Sequence, residues 1–368
     1  MEKDNRRKII HIIGNARIGG VAAFLLNYFG NIDREKYRFD FVTYGESEFD
    51  EKAHAIDPSS RIFYITPLDK NPLKAMRELK RIFRSDDYCA VHSHMTTLSA
   101  FALPPAARAK IPVRICHAHS TFDKNSDHYL VKKLLRPFAA AKATARMACG
   151  KKAAENLYGK KAEQAFILPN AITAERFYCT DEEHLAARKA LGAEGKIILF
   201  VGRFVYQKNL FFLLNAFSVA AKKEKMTLVL VGDGADKEAL FAQAQKLGIL
   251  DCVRFVPPCD PAIWYKAANV FALPSRYEGM PVVAVEAQAA GLFCIFSDAV
   301  TREADIGGNS VFLPARTESD ELLWAEEFLK DAPRLSDAKS AVENAGFDIA
   351  KQAHLLTDFY ERELMKRS

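Results

Sequence analysis

Cysteine pairing is the first thing this chain lacks. Cys89, Cys116, Cys149, Cys179, Cys252, Cys259 and Cys294 are scattered over 368 residues with no C-x-x-C among them. That argues against a zinc site and against a disulfide framework, and it suits a reducing cytoplasm. Long apolar runs are missing too. Nothing approaches the ~20 residues needed to span a bilayer, and the MEKDNRRK start leads into only a short apolar run, unlike a signal peptide. The familiar phosphate loops are absent: there is no Gly-Lys-Ser/Thr and no G-x-G-x-x-G, which disfavours Walker-type nucleotidases and dinucleotide oxidoreductases. No Asp-x-Asp stands ready for a divalent metal, and no nucleic-acid-binding module accompanies the basic residues.

What is present describes a two-domain globular protein. The length is ample for two domains, and 49% hydrophobic residues is ordinary for a folded chain. The net charge of +6 is unevenly placed. Residues 1–175 hold 29 Lys+Arg against 19 Asp+Glu, whereas residues 176–368 hold 23 against 27. Two segments carry much of the excess: Leu73–Arg84, with an amphipathic helix pattern, and Lys124–Lys161, with ten basic residues and two acidic ones. Either they are solvated helix faces, or they rest on anionic lipid headgroups.

Short apolar strands alternate with helical patterns in both halves, as in an open parallel α/β sheet. Strands are expected at Lys8–Ile13, Phe39–Thr43, Arg61–Ile65, Tyr88–Ser93, Val113–His117, Ala145–Cys149 and Phe166–Ile172. The second half restarts with Lys196–Val201, Thr227–Val231, Val253–Val256, Val270–Leu273 and Phe293–Phe296. Helices are expected at Val21–Phe29, Leu98–Arg108, Leu134–Ala145, Lys151–Tyr158, Lys237–Leu247, Ala262–Ala268 and Phe347–Lys366. The polar stretch Thr173–His184 is the expected hinge. His92, His94, His117 and His119 cluster at two neighbouring strand ends, but no carboxylate or thiolate completes a metal site.

The most informative stretch is Ala272–Gly291, ALPSRYEGMPVVAVEAQAAG. It reads as a strand, a turn over Ser275–Gly279, and a helix with Pro281 at its first position. Free N–H groups and the positive dipole end at that helix start suit a phosphate. Glu278 and Glu286 bracket it. Carboxylates do not grip phosphate but do accept hydrogen bonds from hydroxyls, so the pattern fits a nucleotide sugar.

SRYEGMPVVAVEAQAAG resembles the E-x7-E segment of retaining glycosyltransferases of family 4 (group 1), and GRFVYQKN resembles that family's G-R-x(3–4)-K-G/N turn. The GDG at Gly232–Gly234 resembles a third family turn. The resemblance implies an α/β fold of GT-B type, two doubly wound parallel-sheet (Rossmann-like) domains facing across a cleft. Residues 1–180 would form the acceptor side and 181–349 the donor side, with a helix at about 350–368 packing back on the first. It further implies Arg203 and Lys208 on the diphosphate, Glu278 on the donor sugar, Glu286 on the ribose, and His119, rather than His117, beside the sugar. Gly19, Gly20, Gly202, Asn209, Gly279, Met280 and Val282 would contribute to donor binding. The implied reaction uses no metal and no cofactor beyond a nucleoside diphosphate sugar, with UDP the expected carrier. The acceptor would be a lipid-linked saccharide in exopolysaccharide or capsule synthesis. The protein would then be cytoplasmic, or peripheral at the inner membrane face. Three positions depart from the family pattern: Ala171 for glycine, Val256-Pro257-Pro258 where a glycine loop meets the base, and Phe293 for proline. The alternatives are a UDP-sugar 2-epimerase, which wants acid and base carboxylates near the sugar, and a non-catalytic partner subunit.

Overall fold

The computed structural model describes residues 4–16, 19–122, 124, 128–331 and 333–367. The chain forms two compact units, residues 1–171 together with 349–368, and residues 172–348.

In the first unit, β1 (Arg7–Gly14), β2 (Tyr37–Thr43), β3 (Ile62–Tyr64), β4 (Tyr88–Ser93), β5 (Val113–Ala118), β6 (Ala145–Ala148) and β7 (Ala165–Ile167) build one sheet. All pairings are parallel, in the order β3-β2-β1-β4-β5-β6-β7. The central strands are buried on both faces, and β1 is accordingly apolar from Ile9 to Ile13 except for His11, while β2 alternates and buries Arg38 and Asp40 as an ion pair. Phe24, Tyr28, Phe29, Phe39, Phe41 and Phe49 fill one face. The helix Ile349–Met365 returns to that face, packs on the helix Gly20–Asn31, and buries Leu356, Phe359, Tyr360 and Leu364 there.

The second unit holds β8 (Lys196–Val201), β9 (Met226–Val231), β10 (Val253–Val256), β11 (Val270–Leu273), β12 (Phe293–Ser297) and β13 (Ser310–Leu313). These too are all parallel, in the order β10-β9-β8-β11-β12-β13. Each sheet reverses its winding once, between β1 and β4 and between β8 and β11. Crevices beyond the carboxyl ends of strands at such a reversal are where open α/β sheets bind ligands.

Several expectations shift. The break falls after Ala171, not 180, because the helices Ala174–Phe177 and Asp181–Ala190 pack on helices of the second unit. The expected hinge is therefore helical, and Thr180 opens the second of these helices with a capping box to Glu183. The helix expected at Leu134–Ala145 runs instead from Tyr129 to Ala139 and stops two residues after Pro137, whose ring opposes the helical backbone. Of the strand expected at Phe166–Ile172 only Phe166 and Ile167 join the sheet, with Pro169 just beyond, and Ile172 makes an isolated bridge to Asp348. Pro281 caps its helix rather than entering it. The amphipathic Leu73–Arg84 pattern forms the helix Pro72–Ile82, and Leu79, Ile82 and Phe83 are core residues, so most of its apolar face is buried and only Leu73 of that face, at its start, is exposed. A helix at Glu48–Ile56 has no counterpart in the sequence reading.

Candidate active site

The two turns bearing the expected donor residues leave β8 and β11, the strands flanking the reversal in the second sheet. The turn after β8 is locked to the turn after β9. Gly202 donates to Val231 O at 3.0 Å and Phe204 to Asp233 O at 2.8 Å. A Cβ on Gly232 would lie 1.9 Å from Gly202 O, and one on Gly234 2.2 Å from Phe204 O. Glycine is therefore required here for backbone contact between the two turns.

Four links then tie the β8 turn to the β11 turn. Lys208 Nζ donates to Glu278 Oε1 at 2.5 Å, with both side chains largely withdrawn from water. Gln207 Nε2 donates to Tyr277 O at 2.9 Å, and Arg276 N donates to Gln207 O at 2.8 Å. Asn209, held at φ +57°, gives its amide to Pro274 O at 3.2 Å and Ala315 O at 2.9 Å. That left-handed backbone explains why glycine or asparagine suits the position. It also shows the Asn209 amide engaged with the scaffold rather than turned to a ligand. Arg203 is exposed at the start of the first turn, and Arg276 lies 4.4 Å from the Tyr206 ring centroid.

The helix Val282–Ala289 begins at Pro281 with no capping side chain. Ala284 N bonds back to Pro281 O, which leaves the earlier amides of the first turn for a ligand. Gly279, Met280 and Val282 are buried beside Glu278. One turn on, Glu286 Oε2 accepts from Tyr265 OH at 2.9 Å. Burial pushes the Glu286 carboxyl up to about 7, against the Tyr265 hydrogen bond, which favours the anion. Sequence reasoning missed Tyr265, and it missed Ser275, whose buried hydroxyl has no partner among the described residues. An unpaired buried hydroxyl in a turn beside such a helix marks Ser275 as a candidate ligand contact.

In the first unit, Gly19 caps and Gly20 opens the helix Gly20–Asn31, and an added Cβ on Gly20 would meet nothing within 4 Å. Arg17 and Ile18 of the same turn lie outside the described residues. The glycine that the backbone demands here is Gly14, whose φ of +75° side-chain-bearing residues rarely adopt.

The histidines form a larger cluster than expected, because His11 on β1 joins the four from β4 and β5. His11 Nδ1 lies 3.0 Å from His94 Nε2, and His94 Nδ1 lies 2.7 Å from His119 Nε2. Tyr360 OH lies 2.7 Å from His92 Nδ1, and His92 Nε2 lies 3.0 Å from His117 Nδ1. Burial lowers all five rings from the usual histidine range, His11 and His119 to about 3, so they stand neutral. Nitrogens of His11, His92 and His94, and of His94, His117 and His119, are close enough to share a cation. His117 is still on β5, and His119 stands just past its end, partly exposed.

A cation, a carboxylate and an uncapped helix start on two braced turns suit a ligand that carries both phosphate and hydroxyls. Residues 18–176 match Glycosyltransferase Family 4 and residues 181–345 match Glycosyl transferases group 1. The chain belongs to this glycosyltransferase family. It is 30% identical over 374 residues, 97% of each chain, to EpsF of Bacillus subtilis (strain 168), which is named as a glycosyltransferase. It is 26% identical over 391 residues, 96% of each chain, to the UDP-Gal:alpha-D-GlcNAc-diphosphoundecaprenol alpha-1,3-galactosyltransferase of Escherichia coli. Anabaena HepE, solved with UDP and glucose, superposes with a TM-score of 0.82 at 16% identity over 97% of this chain and 100% of its own. Sucrose-phosphate synthase of Thermosynechococcus elongatus gives 0.82 at 20% identity over 99% and 100%. The fold is GT-B, and the protein is a glycosyltransferase.

Proposed function

We propose that this enzyme transfers a sugar from a uridine diphosphate sugar to a hydroxyl of a lipid-linked saccharide, with retention of anomeric configuration and without a metal. The observation that carries the reading is the Lys208–Glu278 pair, which fixes a cation and a carboxylate side by side next to an uncapped helix start. An ammonium has three protons, so Lys208 can hold Glu278 and still donate to a phosphate oxygen.

In the proposed reaction the bond between the anomeric carbon and the diphosphate oxygen breaks, and its electron pair leaves with the diphosphate. The acceptor oxygen bonds to the same face of that carbon, and its proton passes to the departing phosphate oxygen. Negative charge grows on the diphosphate, so Arg203, Lys208 and the first-turn amides bind the transition state better than the ground state. Glu286 accepts the ribose hydroxyls and Glu278 those of the sugar, with His119 a further sugar contact.

The lipid-linked acceptor is supported by the diphosphoundecaprenol in the Escherichia coli relative's name, and UDP by that name and by the ligand of Anabaena HepE. An exopolysaccharide or capsule role accords with such an acceptor. Among the described residues no helix is long and apolar enough to cross a membrane. The helix Tyr129–Ala139 instead exposes Leu130, Val131, Leu134 and Phe138 among Lys133 and other basic residues, which suits docking on an anionic leaflet at the cytoplasmic side.

The test is a metal-free thermal-shift panel of UDP, GDP, ADP and UDP-sugars on the wild type and on the Arg203→Ala and Glu286→Ala variants. A rise with UDP that both variants lose supports the donor site. No rise with any nucleotide overturns it.

A further inference from the structure

Five neutral imidazoles gather where β1, β4 and β5 end, and donor binding uses at most one of them. Their nitrogens are paired in two strings, His11–His94–His119 and Tyr360–His92–His117. The strings are stacked, with ring centroids 4.1 Å apart for His92 and His94 and 3.9 Å for His117 and His119. A shared ion would separate two ligating nitrogens by about 3.3 Å, given tetrahedral bonds of 2.0–2.1 Å. The contacts at 2.7 and 3.0 Å are shorter and hold protons instead.

We infer that His94, at the outer end of a string whose inner end is buried without an acceptor, is a positioning residue that fixes the proton of His119 on Nδ1. The inference rests on the proposed role of His119 beside the donor sugar.

Each neutral ring has one N–H and one lone pair, and each link needs one of each. The string can therefore run in only two directions. Running inward, His119 Nε2 donates to His94 Nδ1 and His94 Nε2 donates to His11 Nδ1. The proton of His11 is then left on Nε2, which is buried and without a partner among the described residues. The rings around His11 include Phe39 and Phe41, which offer no oxygen or nitrogen acceptor. Running outward, His11 Nδ1 donates to His94 Nε2 and His94 Nδ1 donates to His119 Nε2. Only a lone pair is then stranded on His11, and buried unpaired N–H groups are the rarer of the two defects. The outward direction leaves Nδ1–H on His119 as its free donor. Solvated neutral histidine prefers the other tautomer, with the proton on Nε2, so the string reverses the intrinsic choice. The second string braces this arrangement: Tyr360 and the stacked His92 and His117 rings confine His94 and His119 without adding a proton acceptor to either.

The experiment is long-range 15N–1H correlation of the histidine rings in the full chain labelled with 15N-histidine, without donor or acceptor present. His119→Asn assigns the His119 signals. The wild type is expected to show protonated Nδ1 and bare Nε2 at His119. In His94→Asn and His94→Leu, the His119 population should shift toward Nε2–H, whereas in His11→Phe, which only moves the buried end of the string to His94, the Nδ1–H form should persist. The backbone amide map of each variant verifies folding, and either folded His94 variant suffices. In His94→Asn, kcat should fall roughly tenfold, the scale of one hydrogen bond, with the KM for donor within about twofold. An Nε2–H tautomer at His119 in the wild type overturns the inference, as does an Nδ1–H tautomer unchanged in a folded His94 variant. A stoichiometric transition metal on the rings of the purified protein overturns it too. The expected spectra together with full transfer activity in His119→Asn would uphold the relay and remove the sugar-contact role of His119 instead, so the two readings fail separately.

Discussion

The two sheets place opposite chemistry at equivalent points. Where the first sheet reverses, five imidazoles are packed neutral and proton-paired, and the groups they pair with are one another and Tyr360. Where the second reverses, a lysine–carboxylate pair, an exposed arginine and an uncapped helix start lie on two cross-braced turns. The winding supplies a crevice in either case, but the side chains decide whether it presents fixed charge or fixed hydrogen-bond direction. An anion that gains charge during reaction needs the first, and a neutral polyol needs the second. The two regions should therefore fail under different stresses.

Acid should separate them most strongly. The five histidines are neutral in the fold and free to charge in the unfolded chain, so the unfolded state binds more protons below 6.5. Stability of the first unit is full above that pH and falls as the pH drops toward 3, the value to which His11 and His119 are lowered. The slope approaches about 1.4 kcal/mol per pH unit for each histidine. Urea melts between pH 6.5 and 5, above most carboxylate titration, should show it, and His11→Phe should reduce the slope by one proton.

Charge removal should strike the second region. Lys208→Met removes the cation paired with the buried Glu278 carboxylate, with an expected loss of about 3–5 kcal/mol and of transfer rate by about 10²-fold or more. The double variant Lys208→Met/Glu278→Leu should regain most of the stability and none of the rate. Recovery of both in the double variant would mean that the pair is a brace only.

Glu286 gives a smaller, oppositely signed pH effect. Its carboxyl is raised from 4.5 to about 7 by burial, so its contribution is full below 4.5 and lost as the pH rises through 7. Glu286→Gln should therefore stabilise the nucleotide-free protein at pH 8 by about 3 kcal/mol. UDP affinity of the wild type should rise across pH 7 as the acceptor of ribose hydroxyls ionises, and calorimetry at pH 6 and 8 would measure it. Tyr265→Phe is the smallest change: about 1 kcal/mol of stability for one hydrogen bond, with the midpoint of the affinity profile moved upward.

The sequence made much of the second unit legible because its signals are local. β8, β10 and β11 fall where apolar runs place them, and the turns after β8 and β11 announce themselves through glycine, lysine and the paired glutamates. What stayed hidden depends on distance along the chain. Tyr265 meets Glu286 across a strand and a turn, and Lys208 meets Glu278 across seventy residues. His11 looked like one polar residue in a strand until the sheet order set β1 beside β4, with His11 registered against His92. The helix Glu48–Ile56 is polar enough to pass for a loop, and tertiary contacts secure it, through Phe49 and Ala53 in the core and through Asp50, which accepts from Tyr64 OH. For the membrane-facing expectation, four exposed apolar residues are on Tyr129–Ala139, whereas on Pro72–Ile82 Leu73 is exposed and Leu79 and Ile82 are core, a distinction of burial that two similar amphipathic patterns do not carry.

The return of the helix Ile349–Met365 to the first unit has a consequence for how the protein is made. Domains on a ribosome ordinarily close in the order they emerge. Here residues 1–171 emerge first, yet the pocket for Leu356, Phe359 and Tyr360 stays open until that helix is synthesised, while residues 172–348 form a contiguous unit that can fold ahead of it. Nascent chains should therefore mature from the middle outward, with the histidine stack completed only when Tyr360 arrives.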